Sequence, residues 1–387
     1  MNSSLQRLRI AILAHSTNPR GGVVHALALA EALTELGHEA VVHAPDAGGG
    51  FFRPARCPTV CVPASPAGND VAAMVEIRAA DYVRWFADPR HRDFAVFHAQ
   101  DGISANALAT LKEKGLIGHF ARTVHHVESF ADPRLQRLQE RAIATADRLM
   151  VVSRLWRDAL MQSHGREAVL VGNGVDCRRF SPHAEERDAM LRRRLGLGAG
   201  PVFLAVGGIE GRKNTHGILL AFARIHADLP AAQLIIAGGA SLLDHGAYQR
   251  RFAEILDAGA LPANAVLAIG PVADADMPSL YRIADALVFP SLKEGFGLVV
   301  LEAMASGLPV VVSRIAPFTE YLNADTVVWC DPNDSVSIAS AMRRALDREG
   351  RGLRIARGLD VARHHDWRSA AQRHLPVYAS LAEPARD

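Results

Sequence analysis

The sequence predicts an α/β protein of two doubly wound domains, each a parallel sheet covered by helices. The chain has 387 residues, which corresponds to two or three domains of about 150 residues each. Short apolar runs alternate with longer amphipathic segments, as they do in successive βα units. A polar, arginine-rich stretch between Pro182 and Pro201 interrupts this alternation, which begins again at Val202. Two sheets in succession are therefore the expected architecture.

The interruption sets the predicted domain boundaries. We expect an N-terminal Rossmann-like domain over residues 1–185, a linker with a short helix over 186–200, and a C-terminal Rossmann-like domain over 201–362. Residues 363–387 have a helical pattern. Ligands of open α/β sheets bind beyond the carboxyl ends of the strands, so we expect the two domains to face each other across a ligand-binding cleft.

Each predicted strand is a short apolar run bounded by polar residues, glycine or proline. The helix after the first strand has apolar residues at helical spacing and ends at Gly37, a residue type favoured just after a helix. The predicted strands are Leu8–Ala14, Glu39–His43, Phe94–His98, Thr123–His125, Leu149–Val152, Val202–Val206, Gln233–Ala237, Val266–Ile269, Ala286–Phe289, Pro309–Ser313 and Val327–Cys330.

Composition and charge exclude several classes of protein. There are 43 Lys and Arg against 41 Asp and Glu, a net charge of +2, which argues against a nucleic-acid partner. The apolar run Ile10–Ala14 is too short for a secretory signal, and no stretch approaches the ~18 apolar residues of a membrane span. We expect a cytoplasmic protein with at most peripheral membrane contact.

Two glycine-rich loops follow predicted strands and suit a bound phosphate. Gly21-Gly22 opens a helix, whose first N–H groups attract anions, although an ordinary turn is the commoner explanation of such a pair. The run from Gly207 to Asn214 adds Arg212 and Lys213, a planar fork and a point charge that suit a diphosphate. A solvated loop explains these two cations equally well in isolation.

A third loop, Phe289–Leu298, carries more information because it joins glycines to a pair of carboxylates. Gly295 and Gly297 expose the first N–H groups of the next helix. Glu302 lies in that helix among apolar residues, an unusual place for an unused charge. Glu294 and Glu302 make sense as ligands of hydroxyl groups on either side of a diphosphate, one set from a sugar and the other from a ribose.

The segment Leu280–Leu322, with the run FPSLKEGFGLVVLEAMASGLPVV, resembles the retaining GT-B glycosyltransferases of family 4. Their E-x7-E element matches Glu294 and Glu302, and Glu320 falls on the acidic position that follows. Val171–Asp176 resembles the family's P-N-G-V-D motif, with glycine in place of proline. The resemblance implies a transferase that moves a hexose-type sugar from a nucleotide-diphosphate-sugar to an acceptor hydroxyl, with retention of anomeric configuration.

The resemblance also assigns roles to individual residues. Glu294 would hold hydroxyls of the donor sugar, and Glu302 would hold the ribose. The backbone N–H groups of Phe296, Gly297 and Leu298 would bind the diphosphate. We expect the leaving phosphate to accept the acceptor's proton in a front-face substitution, because no carboxylate is an evident covalent nucleophile.

In the same resemblance, Gly22 and Lys213 complete the diphosphate site. Family members commonly carry an arginine a few residues before this lysine, where the present chain has Gly207 and Gly208. Arg212, next to Lys213, is the candidate to replace this arginine, and it would approach the diphosphate from a different angle. The departure bears on the strength of diphosphate binding more than on the fold.

His125 matches the family's histidine near the reacting carbon, and Asp101 falls on a polar cluster of the family pattern. Without the resemblance, a strand-end histidine bonded to backbone is the simpler interpretation of His125. The family's last helix returns to the N-terminal domain, and Trp367 could anchor it here, although a plain surface helix fits the pattern too.

No metal or cofactor is expected. Asp274-Ala275-Asp276 mimics a metal-binding D-x-D, but it precedes a helix, where aspartate is a common cap. The acceptor, whether carbohydrate, lipid-linked or another small molecule, is not specified by the sequence. Two other functions remain open: a GT-B epimerase or phosphorylase, and a nucleotide-sugar-binding protein without turnover.

Overall fold

The computed structural model describes residues 7–239, 246–258 and 261–382. They form two compact units: unit 1 contains the chain up to Asn173 and the segment from Trp367 onward, and unit 2 is Gly174–Asp366. The first division thus lies at Asn173 and not at residue 185. Residues Glu186–Arg194 of the predicted linker form a helix that belongs to unit 2.

Each unit contains a parallel sheet. In chain order the strands are β1 (Arg9–Leu13), β2 (Glu39–Asp46), β3 (Thr59–Pro63), β4 (Val96–Ala99), β5 (Ala121–Val124), β6 (Arg148–Val151), β7 (Ala168–Leu170), β8 (Val202–Val206), β9 (Gln233–Ala237), β10 (Val266–Gly270), β11 (Ala286–Phe289), β12 (Val310–Ser313) and β13 (Val328–Cys330). Within the described residues the order is β3-β2-β1-β4-β5-β6-β7 in unit 1 and β10-β9-β8-β11-β12-β13 in unit 2. Both orders are doubly wound, so the predicted α/β class with two Rossmann-like domains is confirmed.

Helices cover both sheets. In chain order they are α1 (Gly21–Glu35), α2 (Val71–Ala87), α3 (Gly102–Glu113), α4 (Pro133–Ala144), α5 (Arg154–His164), α6 (Glu186–Arg194), α7 (Thr215–Asp228), α8 (Gly246–Ala258), α9 (Met277–Arg282), α10 (Leu298–Ala305), α11 (Ser335–Leu346), α12 (Arg351–His364) and α13 (Trp367–Ala382). Among the described residues, none of these helices combines the length and the hydrophobicity that crossing a bilayer requires.

Two strands were not predicted, and both lie at sheet edges. β3 and β7 are largely exposed, whereas the predicted strands are mostly buried. An edge strand buries little side-chain surface, so it lacks the continuous apolar run that identifies an inner strand of a parallel sheet. The sequence signal is therefore weak where the hydrophobic contribution to the strand is small.

The core of unit 1 has a layer on each face of its sheet. One layer joins β1, β2 and β4 to α1 and α13, with Leu27 and Tyr378 buried in it. The other joins the sheet to α2, α3 and α5. The last helix is thus a core element of unit 1, although it follows unit 2 in the chain.

Candidate functional site

The loop after β8 holds its shape through two glycines in the left-handed region. Gly207 has φ +134° and Gly208 has φ +75°. A Cβ atom on Gly207 would lie 2.8 Å from Lys213 Cε, and one on Gly208 would lie 2.8 Å from the Gly239 carbonyl oxygen. Gly207 therefore leaves room for the Lys213 side chain, and Gly208 lets the loop approach the backbone at Gly239 closely. A side chain at position 207 would require the Lys213 side chain to move.

Lys213 and Arg212 meet on one carboxylate oxygen. Lys213 Nζ lies 2.6 Å and Arg212 Nη1 2.9 Å from Glu294 Oε1. Arg212 also donates to Glu210, and Lys213 Nζ lies 4.4 Å from the centre of the Phe289 ring. The structure therefore brings together three of the sequence-predicted residues, Lys213, Arg212 and Glu294.

The charge of Glu294 is stabilised by these neighbours. Glu294 is 6% exposed, and such burial by itself would raise the pKa of its carboxyl. The positive charges of Lys213 and Arg212 more than offset burial, and the net effect lowers that pKa. The carboxylate is therefore ionised at neutral pH, and it aligns two cations at the carboxyl end of β8.

Helix α10 begins close to this cluster in the sequence and has no side-chain cap. Its N-cap residue is Gly297, at φ +96°, where a Cβ atom would lie 2.6 Å from Phe318 Cε1. The preceding residue, Phe296, is held by Tyr321, whose ring stacks on it and whose hydroxyl donates to its carbonyl oxygen at 3.0 Å. The Val300 N–H group donates to the Gly297 carbonyl oxygen at 3.0 Å, so the N–H groups of Leu298 and Val299, which no side chain caps, are those available to an anion.

Glu302 is held by a tyrosine that the sequence analysis did not identify. The Tyr281 hydroxyl donates to Glu302 Oε2 at 2.6 Å, and Tyr281 is fully buried. Burial raises the pKa of Glu302, and the Tyr281 hydrogen bond opposes that shift. The carboxylate keeps its second oxygen for another donor. Tyr281 could not have been recognised locally, because it lies in α9, 21 residues away along the chain.

The prediction that Asp274 and Asp276 cap a helix is wrong. Asp276 precedes α9 but accepts no capping hydrogen bond from it. It is paired with Arg187 and Arg194, at 2.9 and 2.6 Å, while Asp274 is paired with Arg179 at 2.8 Å. Arginines distant in sequence therefore use these carboxylates. Within residues 7–239, 246–258 and 261–382, no three potential ligands are grouped as a metal site would require.

In unit 1, Gly22 and His125 are neighbours. A Cβ atom at Gly22 would lie 3.7 Å from His125 Cδ2, so glycine allows the start of α1 to approach the end of β5 closely. The His125 Nε2–H group donates to Gln100 Oε1 at 3.0 Å. In the neutral ring, Nδ1 then carries the lone pair and can accept a hydrogen bond from a hydroxyl.

Further polar residues connect His125 to the last helix. Gln100 Nε2 lies 3.3 Å from either ring nitrogen of His98. His98 in turn contacts Thr123 Oγ1 and the Tyr378 hydroxyl, both at 2.8 Å. Thus a chain of side chains runs from His125 through Gln100 and His98 to Tyr378. No local pattern in the sequence predicts this network, because Tyr378 and His98 are 280 residues apart.

Burial keeps the histidines of this region neutral. It lowers the pKa of His25 to about 4 and that of His374 to about 3. The pKa values of His98 and His125 are also well below the usual value, mainly through burial and partly because these rings are close to one another. The rings of His25 and His125 meet edge to face, with centroids 4.8 Å apart.

Solved structures share this architecture. HepE from Anabaena, in complex with UDP and glucose, superposes with a TM-score of 0.79 at 18% identity, over 97% of this chain and all of that one. Sucrose-phosphate synthase from Thermosynechococcus elongatus gives a TM-score of 0.78 at 21% identity, over 97% and 99% of the two chains. The chain therefore has the GT-B fold of two Rossmann-like domains.

Sequence comparison identifies the family. Residues 19–179 match the model "Glycosyltransferase Family 4", and residues 190–371 match "Glycosyl transferases group 1". The chain belongs to the group 1 glycosyltransferase family.

Characterised relatives are longer than this chain. It is 30% identical over 276 residues to glycogen synthase of Mycobacterium tuberculosis, which is 70% of this chain and 60% of that protein. It is 31% identical over 263 residues to D-inositol 3-phosphate glycosyltransferase of Salinispora tropica, 64% of this chain and 54% of that protein. The chain thus spans a little over half of the length of these relatives.

Proposed function

We propose that the protein transfers a hexose-type sugar from a nucleotide-diphosphate-sugar to an acceptor hydroxyl, with retention of configuration and without a metal ion. The observation that carries this proposal is the meeting of Lys213 and Arg212 on Glu294 near an uncapped helix start at Gly297. Two cations and free backbone N–H groups form a site for a diphosphate. Family membership and the UDP bound to the similar HepE structure support the same donor class.

In the proposed reaction, the bond between the anomeric carbon and the diphosphate oxygen breaks while a bond to the acceptor oxygen forms on the same face. The acceptor's proton passes to the leaving phosphate. Negative charge grows on the diphosphate, and Lys213 and the α10 N–H groups stabilise it electrostatically, which is commonly the largest catalytic contribution. In this proposal Lys213 and Arg212 stabilise the negative charge of the leaving diphosphate, as a metal ion would otherwise do.

Glu302 and His125 have the roles that the family resemblance implies. The Tyr281 hydrogen bond fixes Glu302 Oε2, so the other oxygen can accept from the hydroxyls of a ribose. The lone pair on His125 Nδ1 can accept from a hydroxyl of the transferring sugar, because Nε2–H is committed to Gln100. Glu294 contacts two cations through Oε1, and the family resemblance gives it the role of holding hydroxyls of the donor sugar.

The test is a transfer assay with UDP-, ADP- and GDP-sugars against a panel of acceptors, followed by NMR of the product. We expect one donor to be consumed, the product to keep the donor's anomeric configuration, and the rate to be unchanged by a chelator. An inverted product, a covalent glycosyl-enzyme, or activity lost in chelator and restored by manganese would each contradict a part of the proposal.

The same assay separates the alternatives. Donor binding without consumption of any sugar would favour a binding protein. Release of a sugar phosphate on addition of inorganic phosphate would favour a phosphorylase. Conversion of the nucleotide-sugar to its epimer without an acceptor would favour an epimerase.

A further inference from the structure

Arg122 in β5 is a buried guanidinium that receives no hydrogen-bond partner from the described residues. It is 5% exposed, and its Nε and Nη1 atoms are both buried and unpaired. Its neighbours across the sheet are Ala99 of β4 and Leu149 of β6, which are apolar. A buried charge without a counter-charge destabilises a fold considerably, so this position calls for a ligand that supplies one.

Asp101 has a carboxylate oxygen that accepts no hydrogen bond from the described residues. It has extended backbone and follows Ala99 by two residues, so its side chain lies on the same face of the sheet as that of Arg122. Asp101 Oδ1 accepts from the Ser104 N–H at 2.8 Å, whereas Oδ2 is buried without a hydrogen bond and has His15 Nδ1 at 3.7 Å. The two residues attract each other electrostatically, but they form no ion pair. A donor and an acceptor thus both lack a hydrogen bond on the same face of the sheet, Arg122 within β5 and Asp101 just beyond the carboxyl end of β4.

Ser153 extends this set to the next strand. It follows Val151 of β6 by two residues in extended backbone, and Val151 pairs with Val124 on the Arg122 face of β5. The Ser153 hydroxyl is buried without a partner, and it does not cap α5. Polar atoms without a hydrogen bond therefore lie on one face of the sheet. Arg122 is within β5, while Asp101 and Ser153 follow the carboxyl ends of β4 and β6, the edge where open α/β sheets bind ligands.

We propose that Arg122 binds an anionic group, a phosphate or a carboxylate, of the acceptor, and that Asp101 accepts a hydrogen bond from a hydroxyl of the same molecule. The inference rests on the proposed function, because it names the acceptor class of that reaction. A guanidinium offers a planar fork that matches either oxyanion, and only an anion supplies the missing counter-charge. A neutral sugar would satisfy Asp101 but would leave the Arg122 charge uncompensated. Burial lowers the pKa of Arg122 to about 10, so the side chain is still cationic at neutral pH.

The melting temperature of Arg122→Met distinguishes a structural role of Arg122 from a ligand-binding role. If the arginine serves the fold by compensating Asp101, Arg122→Met leaves a buried carboxylate and lowers the melting temperature. If it is retained for a ligand, Arg122→Met removes an uncompensated charge and leaves the melting temperature equal or higher. Arg148→Met is the matched control, since Arg148 is exposed at the start of the adjacent strand β6.

The experiment measures melting of the full chain with inorganic phosphate, glucose 6-phosphate, glucuronate and glucose. We expect at least one anionic compound to raise the melting temperature of the wild type and of Arg148→Met by a few degrees, glucose to have no such effect, and Arg122→Met to lose the response. Protection by glucose 6-phosphate alone identifies a phosphate, and protection by glucuronate alone a carboxylate. No anionic response, or an equal response in Arg122→Met, overturns the proposal.

UDP, ADP and GDP are measured in parallel, so that the two proposals fail separately. A nucleotide response that is the same in wild type and Arg122→Met, without any anionic-sugar response, rejects the acceptor proposal and leaves the proposed donor site intact. An anionic response that depends on Arg122, without any nucleotide response, supports the acceptor proposal and rejects the donor site.

Discussion

The buried charged groups of the two units differ in the partners that they have. In unit 2, Glu294 is compensated by two cations, and Glu302 is held by the Tyr281 hydroxyl. In unit 1, neutral histidines and an amide line the end of the sheet, while Arg122 and Asp101 have buried atoms without a hydrogen bond among the described residues. Unit 2 therefore presents a site whose charges are in place before a ligand arrives, whereas in unit 1 we propose that a ligand completes the interactions.

The largest effect should come from removing a cation in unit 2. We expect Lys213→Met to lower kcat by about 100- to 1,000-fold, because the lysine stabilises charge that develops only as the diphosphate leaves. Initial rates of sugar transfer measure this effect. Lys114→Met, at an exposed position in unit 1, is the control and should keep the wild-type rate. A Lys213→Met variant that folds and keeps more than a tenth of wild-type kcat would contradict the assignment.

The second-largest effect should be a loss of folding stability at acid pH, which should arise mainly in unit 1. The pKa of His25 is about 4 in the folded chain against 6.5 for an ordinary histidine, because the ring is buried. Below pH 6.5, His25 is protonated in the unfolded chain but stays neutral in the folded chain until the pH approaches 4. The free energy of unfolding therefore falls as the pH drops from 6.5 towards 4, by about 2 kcal/mol at pH 5 for this residue.

Denaturant unfolding over pH 7 to 5 tests this dependence. His25→Gln should flatten the profile, whereas His364→Gln, at an exposed position, should not. In unit 2 the pKa of Glu294 is depressed, so its stabilising contribution is lost only as the pH falls below the ordinary glutamate value of 4.5. Stability that is constant between pH 6.5 and 5 would show that the buried histidines do not set the acid response.

The smallest effect should come from Tyr378, which acts on His125 through His98 and Gln100. Tyr378→Phe removes one hydrogen bond to His98, so we expect about 1 kcal/mol of lost stability and a few-fold lower kcat with unchanged donor KM. Tyr82→Phe is the matched control. Its hydroxyl lies 2.6 Å from the Ala14 carbonyl on the other face of the same sheet, so it should lose stability but not kcat. Equal kcat values for the two variants would make Tyr378 a structural residue only.

The most accurate predictions were those of strands that are identified by a local run of apolar residues. The inner strands Val202–Val206 and Gln233–Ala237 were located to the residue, since a fully buried strand requires an uninterrupted apolar run. The family motif located Glu294 and Lys213, which the structure joins. The roles of these residues in binding stay predictions.

Partners supplied by distant segments could not be predicted in the same way. Tyr281 beside Glu302 and Tyr378 beside His98 depend on how helices pack, which a local period does not encode. Asp276 looked like a helix cap because its local pattern is that of one, yet tertiary ion pairs with Arg187 and Arg194 take its carboxylate. Arg122 lies just outside the predicted strand Thr123–His125, and only its burial in the folded chain makes it notable.

Calorimetric titration with nucleoside diphosphates tests the donor site most directly. We expect the wild type to bind one of UDP, ADP and GDP in a one-to-one complex, Glu302→Gln to bind it at least tenfold more weakly, and the surface variant Glu254→Gln to bind it like the wild type. Heats that show no binding by the wild type, or equal affinities of wild type and Glu302→Gln, would contradict a diphosphate and ribose site in unit 2.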